Sequence, residues 1–357
     1  MKRLTAPIAA AFAALTALGA LVAPAQAEKK KEFNIAWSIY VGWMPWPYAA
    51  EAGIVKKWAD KYSIAIEFTQ INDYVESINQ YTAGKFDGVT MTNMDALTIP
   101  AAGGVDTTLL IIGDFSNGND GVVLKDASTL ADIKGRTVNL VELSVSHYLL
   151  ARGLETVALG EKDIKTVNTS DADILAAFQS DDSNAVVTWN PMLMEAKAIP
   201  GAVEVFNSSQ IPGEIQDTLG INTQTLRDNP ELGKALVGAW YEVLALMKDA
   251  SETGKAARSA MAAASGTDLA GYDAQLATTR MFYTPHEALG FASSPELPRI
   301  VDLVSTFCFE HALLGENVRS KDAIGIMLPN GEIYGDRENV KLRYDTSFMQ
   351  MAADGDI

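Results

Sequence analysis

The sequence predicts an α/β protein of two lobes, each a mostly parallel sheet flanked by helices, with a ligand cleft between them. Three observations carry that expectation. Short apolar runs alternate with helical patterns in the first part of the chain, and the same alternation begins again further on. A cluster of turn-forming residues, Asn117-Gly118-Asn119-Asp120-Gly121, separates the two series. The chain has 357 residues, more than one core usually serves.

The elements follow in order. Phe33 to Ile39 reads as a strand, and an aromatic loop runs from Tyr40 to Pro47. Tyr48 to Tyr62 has a helical pattern. Ile64 to Phe68 alternates as a strand, and Tyr74 to Tyr81 is an amphipathic helix. Asp87 to Met91 is a strand, Met94 to Ala102 a helix and Thr107 to Ile112 a strand. After the turn cluster, read as the crossing between lobes, the strands are Arg136 to Val141, Ile164 to Asn168, Ala185 to Trp189 and Val203 to Phe206. Ser144 to Thr156, Ala172 to Phe178 and Pro191 to Ala198 are the helices between them. The chain is expected to cross back near Ile215. The remainder reads as helices: Asn229 to Lys248, Thr253 to Ala264, Asp268 to Thr279 and Pro295 to Leu314. In the last of these, apolar positions and His311 recur at helical spacing, which places His311 on a core face. Pro329-Asn330-Gly331 marks a turn. The expected division is 28–118 for the first part of lobe 1, 119–215 for lobe 2, and 216–357 for the rest of lobe 1, mainly helical, with a tail.

Residues 1–27 read as a cleavable signal peptide. Lys2 and Arg3 precede an apolar stretch from Ile8 to Val22, and Ala25-Gln26-Ala27 has the small-x-small form of a cleavage site. The stretch falls short of the ~20 residues that span a bilayer. No cysteine lies near the cleavage point, so the expected mature protein carries no lipid and floats free in a periplasm. Cys308 is the single cysteine, which excludes an internal disulfide. The net charge of −17 argues against nucleic acid or anionic lipid as a partner. A monomer is expected.

Catalytic motifs are absent. There is no P-loop, no G-x-G-x-x-G after a strand and no G-x-S-x-G elbow. His147, His286 and His311 have no second ligand at metal spacing. No enzyme activity, metal or cofactor is therefore expected.

Ligands of open α/β sheets bind beyond the carboxyl ends of the strands. The loop Tyr40-Val41-Gly42-Trp43-Met44-Pro45-Trp46-Pro47-Tyr48 follows the first strand. Its prolines stiffen it, and its rings can hold a planar or cationic solute by stacking and cation–π attraction. Tyr40, Trp43 and Trp46 are the cleft candidates, while Tyr48 packs on the next helix. Asn93 and Asp95 follow the third strand, as ligand contacts or as helix N-caps. Asp114 ends the last strand before the crossing. Glu142 and Ser144 follow the first strand of lobe 2. Ser144 suits a helix cap. Glu142 supplies negative charge to the cleft, or is a solvated rim residue. Trp189 ends another lobe 2 strand and faces the cleft or the core.

The chain resembles the nitrate/taurine/sulfonate class of ABC-transporter substrate-binding proteins. The carriers are the Gly42 loop, Gly84-Lys85-Phe86-Asp87-Gly88, Val138 to Ser146, and Trp189-Asn190-Pro191. Within that class it is similar to the branch associated with urea carboxylase. The segments concerned are Ser38 to Trp46, Met91 to Leu97, Val187 to Pro191 and Val340 to Asp345. The resemblance implies a type 2 periplasmic binding protein that closes on its ligand and delivers it to an ABC permease in the inner membrane. The branch implies a small nitrogen compound, urea or guanidinium. A buried guanidinium needs a compensating carboxylate and suits it bidentately; Glu142, Asp95 and the aromatic loop meet that need. Neutral urea needs donors and acceptors, which Asn93 and Ser144 provide. The helix start at Ser144 favours anions, but Glu142 beside it repels them, which disfavours nitrate and alkylsulfonates. A further alternative is an enzyme resembling the thiamin-pyrimidine synthases; those rely on His and Cys chemistry that is sparse here.

Overall fold

The computed structural model describes residues 29–357, so the expected signal peptide lies outside the described residues. The strands are β1 (Glu32–Trp37), β2 (Ala65–Gln70), β3 (Gly88–Thr92), β4 (Thr107–Ser116), β5 (Asp120–Lys125), β6 (Thr137–Leu140), β7 (Lys165–Asn168), β8 (Ala185–Trp189), β9 (Ala202–Asn207), β10 (Gln216–Asn222), β11 (Thr279–Met281), β12 (Gly325–Met327), β13 (Ile333–Tyr334) and β14 (Val340–Tyr344). They form two sheets. The first runs β13-β12-β14-β4-β10-β3-β1-β2, with β11 added on β4; the second runs β7-β6-β8-β5-β9.

The β-α-β reading holds for the units that build each lobe. β1 pairs in parallel with β2 and β3, and β6 with β7 and β8. The inner strands β3 and β8 are buried on both faces along their whole length, whereas the edge strand β2 alternates. The two sheets are nevertheless mixed. β5 is antiparallel to both its neighbours, β8 and β9, and β10 is antiparallel to both of its own, β3 and β4. Each of these strands follows a crossing between lobes. A chain arriving from the other lobe enters its new sheet at the cleft end, so it runs against the strands already there.

Three other differences matter. The expected helix 48–62 is two helices, Pro45–Glu51 and Ile54–Lys61, broken where Gly53 takes a left-handed φ of 75°. The part after residue 216 is less helical than expected, because β10 to β14 all join the first sheet. β12 and β13 are too short for periodicity to reveal, and they flank the turn at Pro329-Asn330-Gly331. The tail holds a strand and a closing helix, Ser347–Asp354: β14 pairs in parallel with β4, and Arg343 forks onto Asp106 through Nε at 2.8 Å and Nη2 at 2.7 Å.

One large apolar cluster runs through both lobes, and a smaller one, built on Val123, Phe178 and Val186, closes the outer face of the second sheet. The lobes touch across the cleft. Ser170 Oγ donates to Asp73 Oδ2 at 2.9 Å, the Tyr74 N–H to Asp171 Oδ1 at 3.2 Å, and Trp189 Nε1 to the Ile39 carbonyl at 3.4 Å.

Candidate functional site

A small, narrow pocket lies where the cleft ends of the two sheets meet. Four rings form most of its wall: Tyr40, Trp43 and Tyr74 from lobe 1 and Trp189 from lobe 2. Their centroids form a chain, with Tyr40 and Trp43 5.0 Å apart, Trp43 and Tyr74 5.8 Å, and Tyr74 and Trp189 5.7 Å. Asp120 and Asp217 are the charged residues of the lining, and Thr92, Val145 and Ile215 complete it. No lysine or arginine is among the described residues of the wall.

Local structure fixes each of these groups. Tyr40 is held by its hydroxyl, which donates to Asp114 Oδ1 at 2.8 Å. Its loop must carry glycine at 42, because a Cβ there would lie 2.4 Å from Tyr40 Cε1 and 2.6 Å from Asp114 Oδ2. Tyr74 opens the helix Tyr74–Thr82 that follows β2, and its hydroxyl donates to Asp95 Oδ2 at 2.6 Å and accepts from the Thr92 N–H at 3.0 Å. Asp120 is the first residue of β5, where the Ser116 hydroxyl donates to its Oδ2 at 2.5 Å. Asp217 lies near the start of β10, directly opposite both Thr92 of β3 and Asp114 of β4.

The site is an acidic pocket in an apolar frame. Burial pushes the Asp95 carboxyl up to about 6 and those of Asp114 and Asp120 up to about 7. Burial, then the facing charges of Asp114 and Asp120, raises Asp217 well above the usual carboxylate value. Burial and the neighbouring carboxylates also lift Tyr40 and Tyr74 well above the usual phenol value, so both remain donors. Arg152, the cation near Ile215, is committed elsewhere. Its Nε lies 3.0 Å from Glu214 Oε2, a carboxylate that also receives the Tyr148 hydroxyl.

The structure brings Tyr40, Trp43 and Trp189 to the cavity and sets Asp114 and Asp95 directly behind its rings. It takes the other sequence candidates elsewhere. Trp46, three residues beyond Trp43, turns into the lobe 1 core, stacked between Phe68 and Trp240 at 4.8 Å from each. Asn93 clamps the returning chain, donating to the Glu214 carbonyl at 3.2 Å and accepting from the Gln216 N–H at 3.0 Å. Thr92 is the N-cap there. Ser144 caps the helix Val145–Thr156, accepting from the Ser146 N–H at 3.2 Å. Glu142 is outside the cavity. Leu143 takes φ 65°, and the chain turns so that the Glu142 N–H meets Asn168 Oδ1 at 3.0 Å on the rim. The negative charge expected from Glu142 comes instead from Asp120 and Asp217.

Tyr74, Asp120 and Asp217 were not among the sequence candidates. Asp120 stands inside the turn cluster, and Asp217 just past the expected return crossing. The signal for both was their position at the start of a strand that enters from the other lobe.

His311 also differs from its expected place in the core. It caps the end of the helix Glu296–Glu310 and reaches across to Glu161 of lobe 2. Its Nδ1 lies 2.9 Å from the Phe307 carbonyl oxygen and its Nε2 2.8 Å from Glu161 Oε2. Both nitrogens face acceptors, which favours the protonated ring, and the hydrogen bond to Glu161 raises the imidazole pKa. His147 meets the other oxygen of Glu161, and its Nδ1 accepts from the Leu143 N–H at 3.1 Å. The two histidines and Glu161 thus form a second bridge between the lobes.

A family model described as NMT1/THI5 like matches residues 52–250. A binding protein of Brucella abortus (strain 2308) is 25% identical over 151 residues, 41% of this chain and 46% of that protein. The chain thus spans about half the length of the curated relatives it matches. Among solved structures, the alkanesulfonate-binding protein SsuA from Xanthomonas axonopodis pv. citri, bound to MOPS, superposes with a TM-score of 0.65 at 16% identity, over 82% of this chain and 97% of that one. The desulfurization enzyme DSZB superposes with a TM-score of 0.58 at 15% identity, over 92% of this chain and 100% of that one. These likenesses show the periplasmic binding protein fold. No helix among the described residues is long and apolar enough to cross a membrane.

Proposed function

Because the chain belongs to the NMT1/THI5-like family and has the periplasmic binding protein fold, we propose that it is the periplasmic solute-binding component of an ABC importer, with guanidinium as its favoured ligand and urea next. The observation that carries this reading is the cavity wall: four rings and two carboxylates, with no lysine or arginine among its described residues. A planar cation meets ring faces by cation–π attraction and carboxylates by charge-assisted, paired hydrogen bonds. The small cavity suits a compact solute. The dividing points of the lobes, near 118 and 215, act as the hinge.

The sulfonate reading draws support from SsuA, an alkanesulfonate-binding protein whose structure holds MOPS. Against it stands the charge of this wall. A helix N-terminus favours anions, but here Asp95 already faces the amide of Val145, which favours its charged form. An incoming sulfonate or nitrate would meet that carboxylate together with Asp120 and Asp217. An enzyme of the thiamin-pyrimidine synthase type would need a nucleophile or base in the cavity, and no His or Cys is among its lining residues. Capture without turnover is therefore the reading we adopt, with delivery to an inner-membrane permease as the role.

Calorimetric titration of the purified protein with guanidinium, urea, taurine and nitrate tests the proposal. The expected result is tight binding of guanidinium, weaker binding of urea and no heat from either anion. Tight binding of an anion alone, or consumption of any of these ligands, would overturn it.

A further inference from the structure

Asp114 and Asp217 are direct cross-strand partners on the antiparallel pair β4 and β10. Asp114 is fully buried and Asp217 is 3% exposed. Like charges placed opposite each other in a sheet repel, and burial multiplies the cost. Their hydrogen bonding is uneven. Asp114 Oδ1 receives the Tyr40 hydroxyl at 2.8 Å, whereas Oδ2 of Asp114 and Oδ2 of Asp217 have no donor among the described residues. Two buried carboxylates whose open oxygens lack donors are satisfied together by one proton held between them.

Among the described residues that face the pair none is a cation; Arg258, which reaches Tyr272 and Tyr283, is held by Asp273 and the Met247 carbonyl. Tyr40 faces it from the loop after β1, and Asp120 from β5. Tyr272 and Tyr283 feel the Asp114 charge from the C-terminal segments, and Thr279 of β11 faces Tyr40. The direct β11 neighbour of Asp114 is Met281. Of the two acids, Asp217 lines the cavity and Asp114 stands behind Tyr40.

We propose that Asp114 and Asp217 share a single proton and release it when a cation enters the cavity, so that capture of the cation is coupled to proton release. The exchange balances: one positive charge enters beside Asp217, one proton leaves to solvent, and the net charge of the site is unchanged. A neutral ligand displaces no proton. The pair thereby separates guanidinium from urea by charge, although their shapes are alike. This inference rests on the cation reading above, which makes pH the switch on affinity. Below the proton-loss midpoint of the pair, affinity for the cation rises by about tenfold per pH unit; above it, affinity levels off.

The test compares the wild-type protein with Asp114→Asn. The two proteins have every other titrating group in common, Glu161 and His311 included, so the difference between them isolates the pair. Titrations with guanidinium are run in buffers of different ionisation heat, and the infrared carboxylic-acid C=O band of each ligand-free protein is recorded at neutral pH. The wild type is expected to show that band and to release about one proton more than the variant on binding. Asp114→Asn is expected to lose the pair's part of the band, leaving what Asp120 and Asp95 contribute to both proteins, and to bind guanidinium with a flatter pH profile. Guanidinium binding with equal proton release in both proteins, or an equal band in both, would overturn the shared proton and leave the cation reading intact. The band present without any guanidinium binding would overturn the cation coupling, because it places the proton there for another reason.

Discussion

Asp217→Asn is expected to lower affinity for guanidinium by two to three orders of magnitude. Asp217 is the buried carboxylate of the first sheet that lines the cavity. A cation bound there loses a charge-assisted partner in a site that water cannot replace, and breaking a buried pair by removing one member costs about 3–5 kcal/mol. The substitution is nearly isosteric, so fold stability, followed by thermal melting, should change little in comparison. Glu142→Gln is the control. Glu142 sits outside the cavity wall and is partly open to solvent, and charges at the surface contribute about 0–1 kcal/mol. Calorimetry on both variants checks the contrast. Loss of binding in Glu142→Gln with full affinity in Asp217→Asn would move the site to the rim.

Gly42→Ala is expected to damage both site and fold. The new methyl would stand 2.6 Å from Asp114 Oδ2 and 2.4 Å from Tyr40 Cε1, well inside contact distance. Both groups are buried, so neither can swing into solvent. Forcing a methyl into so tight a space costs about 1–3 kcal/mol. The ring of Tyr40 must move, and its hydroxyl leaves Asp114. The expected result is a lower melting temperature together with at least about a tenfold loss of guanidinium affinity. Unchanged melting and binding would mean that the Tyr40 loop has room that the close contacts deny.

The parts of the fold written in period and spacing were legible in the sequence. Alternating strands and helices gave the β-α-β units, because buried parallel strands leave short runs poor in charge, such as Ala185–Trp189. The ends of such strands led to Tyr40, Trp43 and Trp189. What stayed hidden has a common cause. β5 and β10 enter their sheets from the opposite lobe, so the cleft end of each is its first residue and not its last. A rule that looks past the carboxyl ends of strands misses Asp120 and Asp217. Asp120 was hidden further by its glycine and asparagine neighbours, which read as a loop. Trp46 shows a different limit. It shares a loop with Trp43, yet it lies inside the helix Pro45–Glu51 and faces Trp240 in the core. Only tertiary packing separates the two tryptophans.

The central claim is that a planar cation sits among four rings and is paired with the carboxylates of Asp120 and Asp217. A crystal structure of the protein grown with guanidinium tests it most directly. The account predicts the cation in this cavity, its plane against Trp43 or Trp189 and its N–H groups within about 3 Å of Asp217 or Asp120. Guanidinium bound elsewhere, or this cavity filled by a sulfonate from the same solution in its place, would contradict it.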